Sequence, residues 1–599
     1  MPTGDFSPAW QEYFEVKGPL PNVTFHIGRS FAGNIPVNRT GHDNDTLFFW
    51  AFEHAPGSLT VEDSTEPWGI WLNGGPGASS LWGLFGENGP MHIADDYSMH
   101  PNEYSWSRLA DYFWIDQPVG VGYSTADATG YIADEDQMGE DFMNFLINIV
   151  KIFPSLKTRP LHITGESYAG TYIPYITKAY FGMEDPPVNL SRIAIGDGSI
   201  GELIEGIELP TLTVIETYPQ IIGYDPEVYE YFKEQSNLCG YDINLTYPQD
   251  GIFPTLNPPY PPWGIARPSD PSAKKAVFEK VLFRDQRDRE LGFVKRDAQP
   301  SEEQVRRREQ WKRDMVFRPD GLNQYYLCAI WEEMVDYAFN FTYPWKGHFV
   351  PGHQYDDHDN GFNVYDIPDA LWPEAAMDAS VFLNDDRVRY ALHAPTSKNW
   401  SMSIPYPFGS KTTVDPSVMP MAFLTELATN ATERDVHVII YSGNDDSILS
   451  HRGSEVVIQN TTFGGIQGFT RRPATPWYSD SHEFAGIVHQ ERNWTYVFFY
   501  GAGHLVPQQQ PENAFVFLRE FVLGNNPTGL VTEVNGTTVV IGGEVDALKA
   551  SALPGQLGLY VGSSTTQGTY TFPSATIAAW SSFIATATAT TAVEPTHTY

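Results

Sequence analysis

Short apolar runs recur through the first 200 residues, set apart by polar stretches that carry glycine, proline or a helical spacing. Leu47-Phe48-Phe49-Trp50-Ala51-Phe52, Gly69-Ile70-Trp71-Leu72 and Tyr112-Phe113-Trp114-Ile115-Asp116 have the length and aromatic content of strands. Between 136 and 153, Phe142, Phe145, Leu146 and Ile149 recur at the spacing of one helix face. Leu161-His162-Ile163-Thr164 predicts another strand, and Arg192-Ile193-Ala194-Ile195-Gly196 the next one. Strands alternating with helices predict an α/β fold with a mostly parallel sheet.

From about 201 to 375 the pattern changes, and the stretch 257–262 is proline-rich and loop-like. The α/β pattern returns over 376–524. Val436-His437-Val438-Ile439-Ile440-Tyr441 and the run from Trp494 to Phe499 predict strands, and Pro511 to Leu523 predicts a helix. Residues 525–562 read as short strands. The Ser/Thr/Ala-rich stretch 563–599 predicts a disordered or O-glycosylated tail and shows no lipid-anchor signal.

Composition narrows the function. The formal net charge is −37 over 599 residues, which opposes binding to nucleic-acid phosphates. No apolar run is long enough to predict a membrane span. Against this acidic background, residues 267–318 hold 15 Lys and Arg and 10 Asp and Glu, with basic pairs at Lys295-Arg296 and Lys312-Arg313. This island predicts a surface insertion: a solvated charged helix, a segment cut after its basic pairs, or translated non-coding sequence. Asn-x-Ser/Thr acceptors stand at Asn22, Asn38, Asn44, Asn189, Asn244, Asn340, Asn399, Asn430, Asn460, Asn493 and Asn535. That density favours passage through a secretory pathway, to a vacuole or the exterior. The polar, proline-containing start from Met1 to Trp10 shows no leader. Cys239 and Cys328 are the two cysteines; one disulfide or two buried thiols fit equally.

Gly165-Glu166-Ser167-Tyr168-Ala169-Gly170 follows the strand at 161–164 and precedes Thr171-Tyr172-Ile173-Pro174. A serine at such a strand–turn–helix junction is pushed out at the carboxyl end of the sheet, where it can act as a nucleophile. Gly-x-Ser alone is weak, since Gly28-Arg29-Ser30 and Gly77-Ala78-Ser79 match it too. The nucleophile needs a base and a group to orient that base. Gly501-Ala502-Gly503-His504 follows a strand and offers an imidazole. Tyr441-Ser442-Gly443-Asn444-Asp445-Asp446 follows another and offers a carboxylate. The order Ser167, Asp446, His504 is the chain order of α/β-hydrolase triads.

With these pieces the chain resembles the serine carboxypeptidase family. The resemblance rests on Trp71-Leu72-Asn73-Gly74-Gly75-Pro76-Gly77, Asp116-Gln117-Pro118-Val119-Gly120-Val121-Gly122, the Ser167 hexapeptide and Gly503-His504-Leu505-Val506-Pro507, and it covers about 30–524. It implies an α/β-hydrolase core (1–200 and 376–524) with a cap inserted at 201–375, and removal of residues from peptide C-termini at acidic pH. It implies Ser167 as nucleophile, His504 as base, and Asp446 rather than Asp445 as orienter. The N–H groups of Gly75 and Tyr168 form the oxyanion hole, and Asn73, Gly74, Glu87 and Glu166 grip the substrate carboxylate. No metal and no cofactor is implied, and the partner is the C-terminus of a peptide or protein. Departures from the family are Ala78 in place of a common cysteine, Asn444 in place of Asp, and Gly196-Asp197-Gly198 in place of Gly-Asn-Gly. Two other readings stand beside this one: an acyltransferase or esterase that uses Ser167 on the same scaffold, and a catalytically silent peptide-binding glycoprotein.

Overall fold

The fold was obtained as a computed structural model that describes residues 2, 4–94, 97–261, 321–345, 362–370, 378–413, 415–561 and 568–589. The basic island 267–318 lies outside the described residues.

The central sheet has ten strands among the described residues: β1 (Ser30–Pro36), β2 (Thr46–Phe52), β3 (Trp68–Leu72), β4 (Asp111–Asp116), β5 (Pro160–Glu166), β6 (Asn189–Gly196), β7 (His437–Gly443), β8 (Thr475–Tyr478), β9 (Phe484–Glu491) and β10 (Trp494–Phe499). Their spatial order is β1-β2-β4-β3-β5-β6-β7-β10-β9-β8. The run β4-β3-β5-β6-β7-β10 is parallel throughout, and antiparallel strands flank it on both sides. This is a mixed α/β sheet of the hydrolase type.

The apolar runs are near-continuous because both sheet faces are covered. In β2, Leu47, Phe49 and Ala51 enter one buried cluster while Phe48, Trp50 and Phe52 enter the other. In β4, Phe113 and Ile115 face one side and Tyr112 and Trp114 the opposite one. Helices α1 (Ser80–Gly86), α2 (Glu135–Ile152) and α3 (Ala169–Gly182) follow β3, β4 and β5. The Asp134 carboxylate accepts the Gln137 N–H at 2.9 Å and caps α2, whose first turn carries Glu135 and Asp136 against the helix dipole.

Between β6 and β7, where a cap is expected, the described residues form turns at Ile204–Glu208 and Pro219–Ile222, a helix at Thr211–Thr217, and the longer helices α4 (Pro226–Leu238) and α5 (Ile330–Phe341). Cys239, just after α4, forms a disulfide with Cys328, just before α5, across a separation of 89 residues. Tethering so long a loop removes much entropy from the unfolded chain. The paired Cys239→Ser, Cys328→Ser variant is therefore expected to lose on the order of 3 kcal/mol in urea unfolding. An unchanged midpoint would show that the cap is held by packing alone.

Of the tail 563–599, expected to be disordered or O-glycosylated, residues 563–567 and 590–599 lie outside the described residues, and the described part, 568–589, carries regular structure. Gly568–Thr571 form a strand with Gly558–Val561, and Ser574–Ala589 form a helix, α6. The reason is a few large residues hidden in a sequence of small ones. Trp580 is buried against Tyr229, and Phe572 and Phe583 contact Tyr224 and Tyr229, so the tail docks on α4 of the cap. No described helix is long and apolar enough to cross a membrane.

Candidate active site

Ser167 sits at the turn between β5 and α3 with φ of 62°, a left-handed conformation that costs a non-glycine residue about 1–2 kcal/mol. Neighbouring strands hold it there. Its N–H donates to the Gly196 carbonyl at 2.9 Å, and its carbonyl accepts from Ser199 N–H at 3.0 Å and Gly170 N–H at 2.9 Å. Gly170 must be glycine, because a Cβ there would lie 2.5 Å from the Ser199 nitrogen.

The Asn73-Gly74-Gly75 turn after β3 lies directly on this elbow. A Cβ on Gly74 would be 2.3 Å from the Tyr168 nitrogen and 2.9 Å from Ser167 Cβ. The backbone of this turn therefore packs directly against Ser167 and the Tyr168 nitrogen.

His504 follows β10 and is 2% exposed. Its Nδ1 lies 2.8 Å from Asp446 Oδ2. Asp446 Oδ1 accepts the N–H groups of Ile448 at 2.7 Å and Leu449 at 3.2 Å, which fixes the carboxylate plane. Asp445 turns the other way, to the Tyr218 hydroxyl at 2.5 Å. Tyr365 stacks on the imidazole with ring centroids 4.7 Å apart and planes at 15°, and its carbonyl accepts the His504 N–H at 2.7 Å. No hydrogen bond joins Ser167 Oγ to His504 Nε2 among the described residues, a looseness common before substrate arrives. Ser167 and His504 follow β5 and β10, strands of one parallel run, so both lie at the same carboxyl edge of the sheet.

Asn73 organises a buried pair of carboxyls. Its Nδ2 donates to Glu87 Oε1 at 3.0 Å and to Glu166 Oε1 at 2.9 Å. Its Oδ1 accepts from Trp71 Nε1 at 2.9 Å and Gly83 N–H at 3.1 Å, so the amide cannot flip. Burial pushes Glu87 up to about 7. Burial, together with the nearby Glu87 charge, holds Glu166 well above the ordinary carboxylate range. Two carboxyls this close in a desolvated site cannot both ionise cheaply, so they retain a proton between them.

Sequence reasoning singled out Ser167, Asp446, His504, Gly75, Tyr168, Asn73, Gly74, Glu87 and Glu166, and the fold gathers these around the carboxyl ends of β3, β5, β7 and β10. It missed Tyr365 and Tyr218, which arrive from the cap without a local signature. It also gave Asp197 no role. That carboxyl is fully buried beside Asp446, and burial first, then the Asp446 charge, hold it well above its usual range. Protonated, Asp197 resembles the asparagine it replaces.

A family model described as serine carboxypeptidase matches residues 21–247 and 270–524, and the chain belongs to this family of hydrolases. Among its relatives, a carboxypeptidase Y homolog of Arthroderma benhamiae is 28% identical over 513 residues, spanning 84% of this chain and 92% of that one. Serine-type carboxypeptidase F of Aspergillus niger is 27% identical over 537 residues, spanning 85% and 86%. The crystal structure of a prohormone-processing carboxypeptidase from Saccharomyces cerevisiae shares the fold, with a TM-score of 0.57 at 22% identity, covering 88% of this chain and 99% of that one.

Proposed function

We propose that the protein removes residues one at a time from peptide C-termini through an acyl-enzyme, working best at acidic pH. The observation that carries this reading is the Asn73–Glu87–Glu166 cluster one residue from Ser167. A general esterase has no use for a buried, proton-holding carboxyl pair at that spot, whereas an exopeptidase must recognise a free terminal carboxylate.

His504 Nε2 takes the Ser167 proton as Oγ attacks the scissile carbonyl, and Asp446 steadies the imidazolium that results. The N–H groups of Gly75 and Tyr168 receive the oxyanion, a contribution of about 3 kcal/mol per donor. His504 then hands its proton to the leaving amine, which departs as a free amino acid. Water, activated by the same imidazole, releases the shortened peptide and restores Ser167. The substrate carboxylate accepts hydrogen bonds from Asn73, the Gly74 N–H and the protonated glutamic pair.

Exposed acceptors at Asn22, Asn38, Asn44, Asn189, Asn244, Asn399 and Asn535, with the Cys239–Cys328 disulfide, support a glycoprotein of the secretory pathway. The test is a blocked dipeptide at mildly acidic pH, beside its C-terminal ester. Release of the free terminal residue that vanishes in Ser167→Ala is the expected result. Turnover of the ester without the peptide would replace this reading with esterase or acyl-transfer chemistry.

A further inference from the structure

The family match ends at residue 524, yet the chain beyond it returns to the active site. Residues 553–560 run between the cap turn at Pro219–Ile222 and the segment 362–370 that carries Tyr365. Gly555 N–H donates to the Thr217 carbonyl at 2.9 Å, Gln220 Nε2 donates to the Gln556 carbonyl at 2.7 Å, and Tyr560 N–H donates to the Pro368 carbonyl at 2.6 Å. Leu559 is fully buried.

This extension ends on one hydroxyl. Gln556 N–H donates to the Tyr218 oxygen at 3.2 Å, and Tyr218 donates its own proton to Asp445 Oδ1 at 2.5 Å. Asp445 is the residue before the acid that holds His504, and it is wholly buried. Its backbone is a junction. The N–H donates to the Ala502 carbonyl at 2.8 Å, in the loop that presents His504, and the carbonyl accepts Ile367 N–H at 3.1 Å, next to the Tyr365 segment. Ser447, on the far side of Asp446, bonds the Val364 carbonyl through both N–H and Oγ, at 3.1 and 2.9 Å. The acid loop, the imidazole loop and the Tyr365 platform thus meet at Asp445. Its side chain accepts from Asn444 Nδ2 at 3.3 Å within its own loop, and its shortest contact, at 2.5 Å, runs through Tyr218 to Gln556. Burying this second carboxyl is compensated by its hydrogen bonds, which tie the position of its side chain to that of the Tyr218 hydroxyl.

We infer that Asp445 is a positioning residue for the hydrolysis, clamped by Tyr218, and that the extension after residue 524 is a working part of the active site because Gln556 holds that clamp. The inference rests on the Ser167–His504–Asp446 reading above. A hydrogen-bonded carboxyl locks the relative placement of two loops that have no covalent tie, and a sub-ångström drift between base and acid is amplified in the rate.

The test is steady-state kinetics on a blocked dipeptide, with active sites counted by a phosphonylating reagent that labels Ser167. Tyr218→Phe removes one hydroxyl and keeps the ring. Gln556→Pro removes the N–H that holds it. Each is expected to lower kcat per titrated site by about tenfold, with KM within about twofold. The double variant should lose no more than the worse single one, because both cut the same connection. Asp445→Asn, which still accepts from Tyr218, should retain most of the rate, and Asp445→Leu should not. If Tyr218→Phe turns over normally per titrated site, or Asn and Leu at 445 behave alike, the inference fails while the triad stands. A merely structural role would lower the number of titratable sites and leave the rate of each unchanged, which also overturns it. If instead Ser167→Ala remains active, the triad reading itself falls.

Discussion

Ser167→Ala and His504→Ala are each expected to lower kcat by about a millionfold, and Asp446→Asn by about ten-thousandfold. Combining them should cost little more than the worst single change, because the three act as one proton-transfer unit. The asymmetry follows from geometry. Asp446 never touches substrate; it holds Nδ1 at 2.8 Å and is itself fixed by two backbone N–H groups. An asparagine there preserves the shape, yet it can present N–H where the imidazole N–H must donate, so the ring is held in the wrong tautomer. KM should hardly move, since the carboxylate-binding residues are untouched. The measurement is kcat on a blocked dipeptide with folding checked by circular dichroism. Substantial turnover in a folded His504→Ala protein would mean that the base lies elsewhere.

KM for peptides should rise by at least about tenfold as pH climbs past about 7, and KM for C-terminally esterified substrates should stay nearly flat. In the proposed mechanism the glutamic pair is protonated at mildly acidic pH and donates hydrogen bonds to the incoming carboxylate. Burial pushes Glu87 up to about 7, and burial with the Glu87 charge holds Glu166 well above the ordinary carboxylate range, so the pair loses protons as pH passes through neutrality. An anion then faces an anion; at about 4 Å and the effective dielectric of a protein site, that repulsion is worth about 4 kcal/mol. The sign for stability runs the same way. Carboxyls whose folded values are raised hold protons more tightly than the unfolded chain does. Their contribution to stability is full below the ordinary glutamate value and is lost as pH rises through about 7. Glu87→Gln combined with Glu166→Gln should flatten both the KM profile and this loss. A peptide KM that stays constant across neutrality in the natural protein would remove the pair from substrate recognition.

Much of this site was legible because its parts are local. Ser167 announces itself through the strand before it and the helix after it, and His504 through small residues that let its loop turn tightly. Periodicity located seven of the ten sheet strands, most to within a residue or two: the run 47–52 is Thr46–Phe52, and the helix over 136–153 is Glu135–Ile152, whereas the strand read from Arg192 begins at Asn189 and the flanking strands β1, β8 and β9 were not read. Glu87 has no such local signal. It is the residue after a short apolar helix, and its role came from family resemblance alone. Tyr218, Tyr365 and Gln556 were invisible for a stronger reason. Each matters through a partner 139 to 338 residues away, His504 for Tyr365, Asp445 for Tyr218 and Tyr218 for Gln556, and no periodicity encodes contacts at that range. The tail misled by composition. Its many alanines and threonines masked Phe572, Trp580 and Phe583, and it takes only these few rings to dock a helix on the cap.

The placement of His504 on β10 has a consequence for biosynthesis. That strand fills the slot between β7 and β9, so the parallel core is incomplete until translation has nearly finished. A ribosome exposes the nucleophile and the terminus-gripping residues hundreds of codons before it delivers their proton acceptor. On the proposed roles, products truncated before His504 should be inert, so the hydrolase becomes active only once nearly the whole chain has emerged.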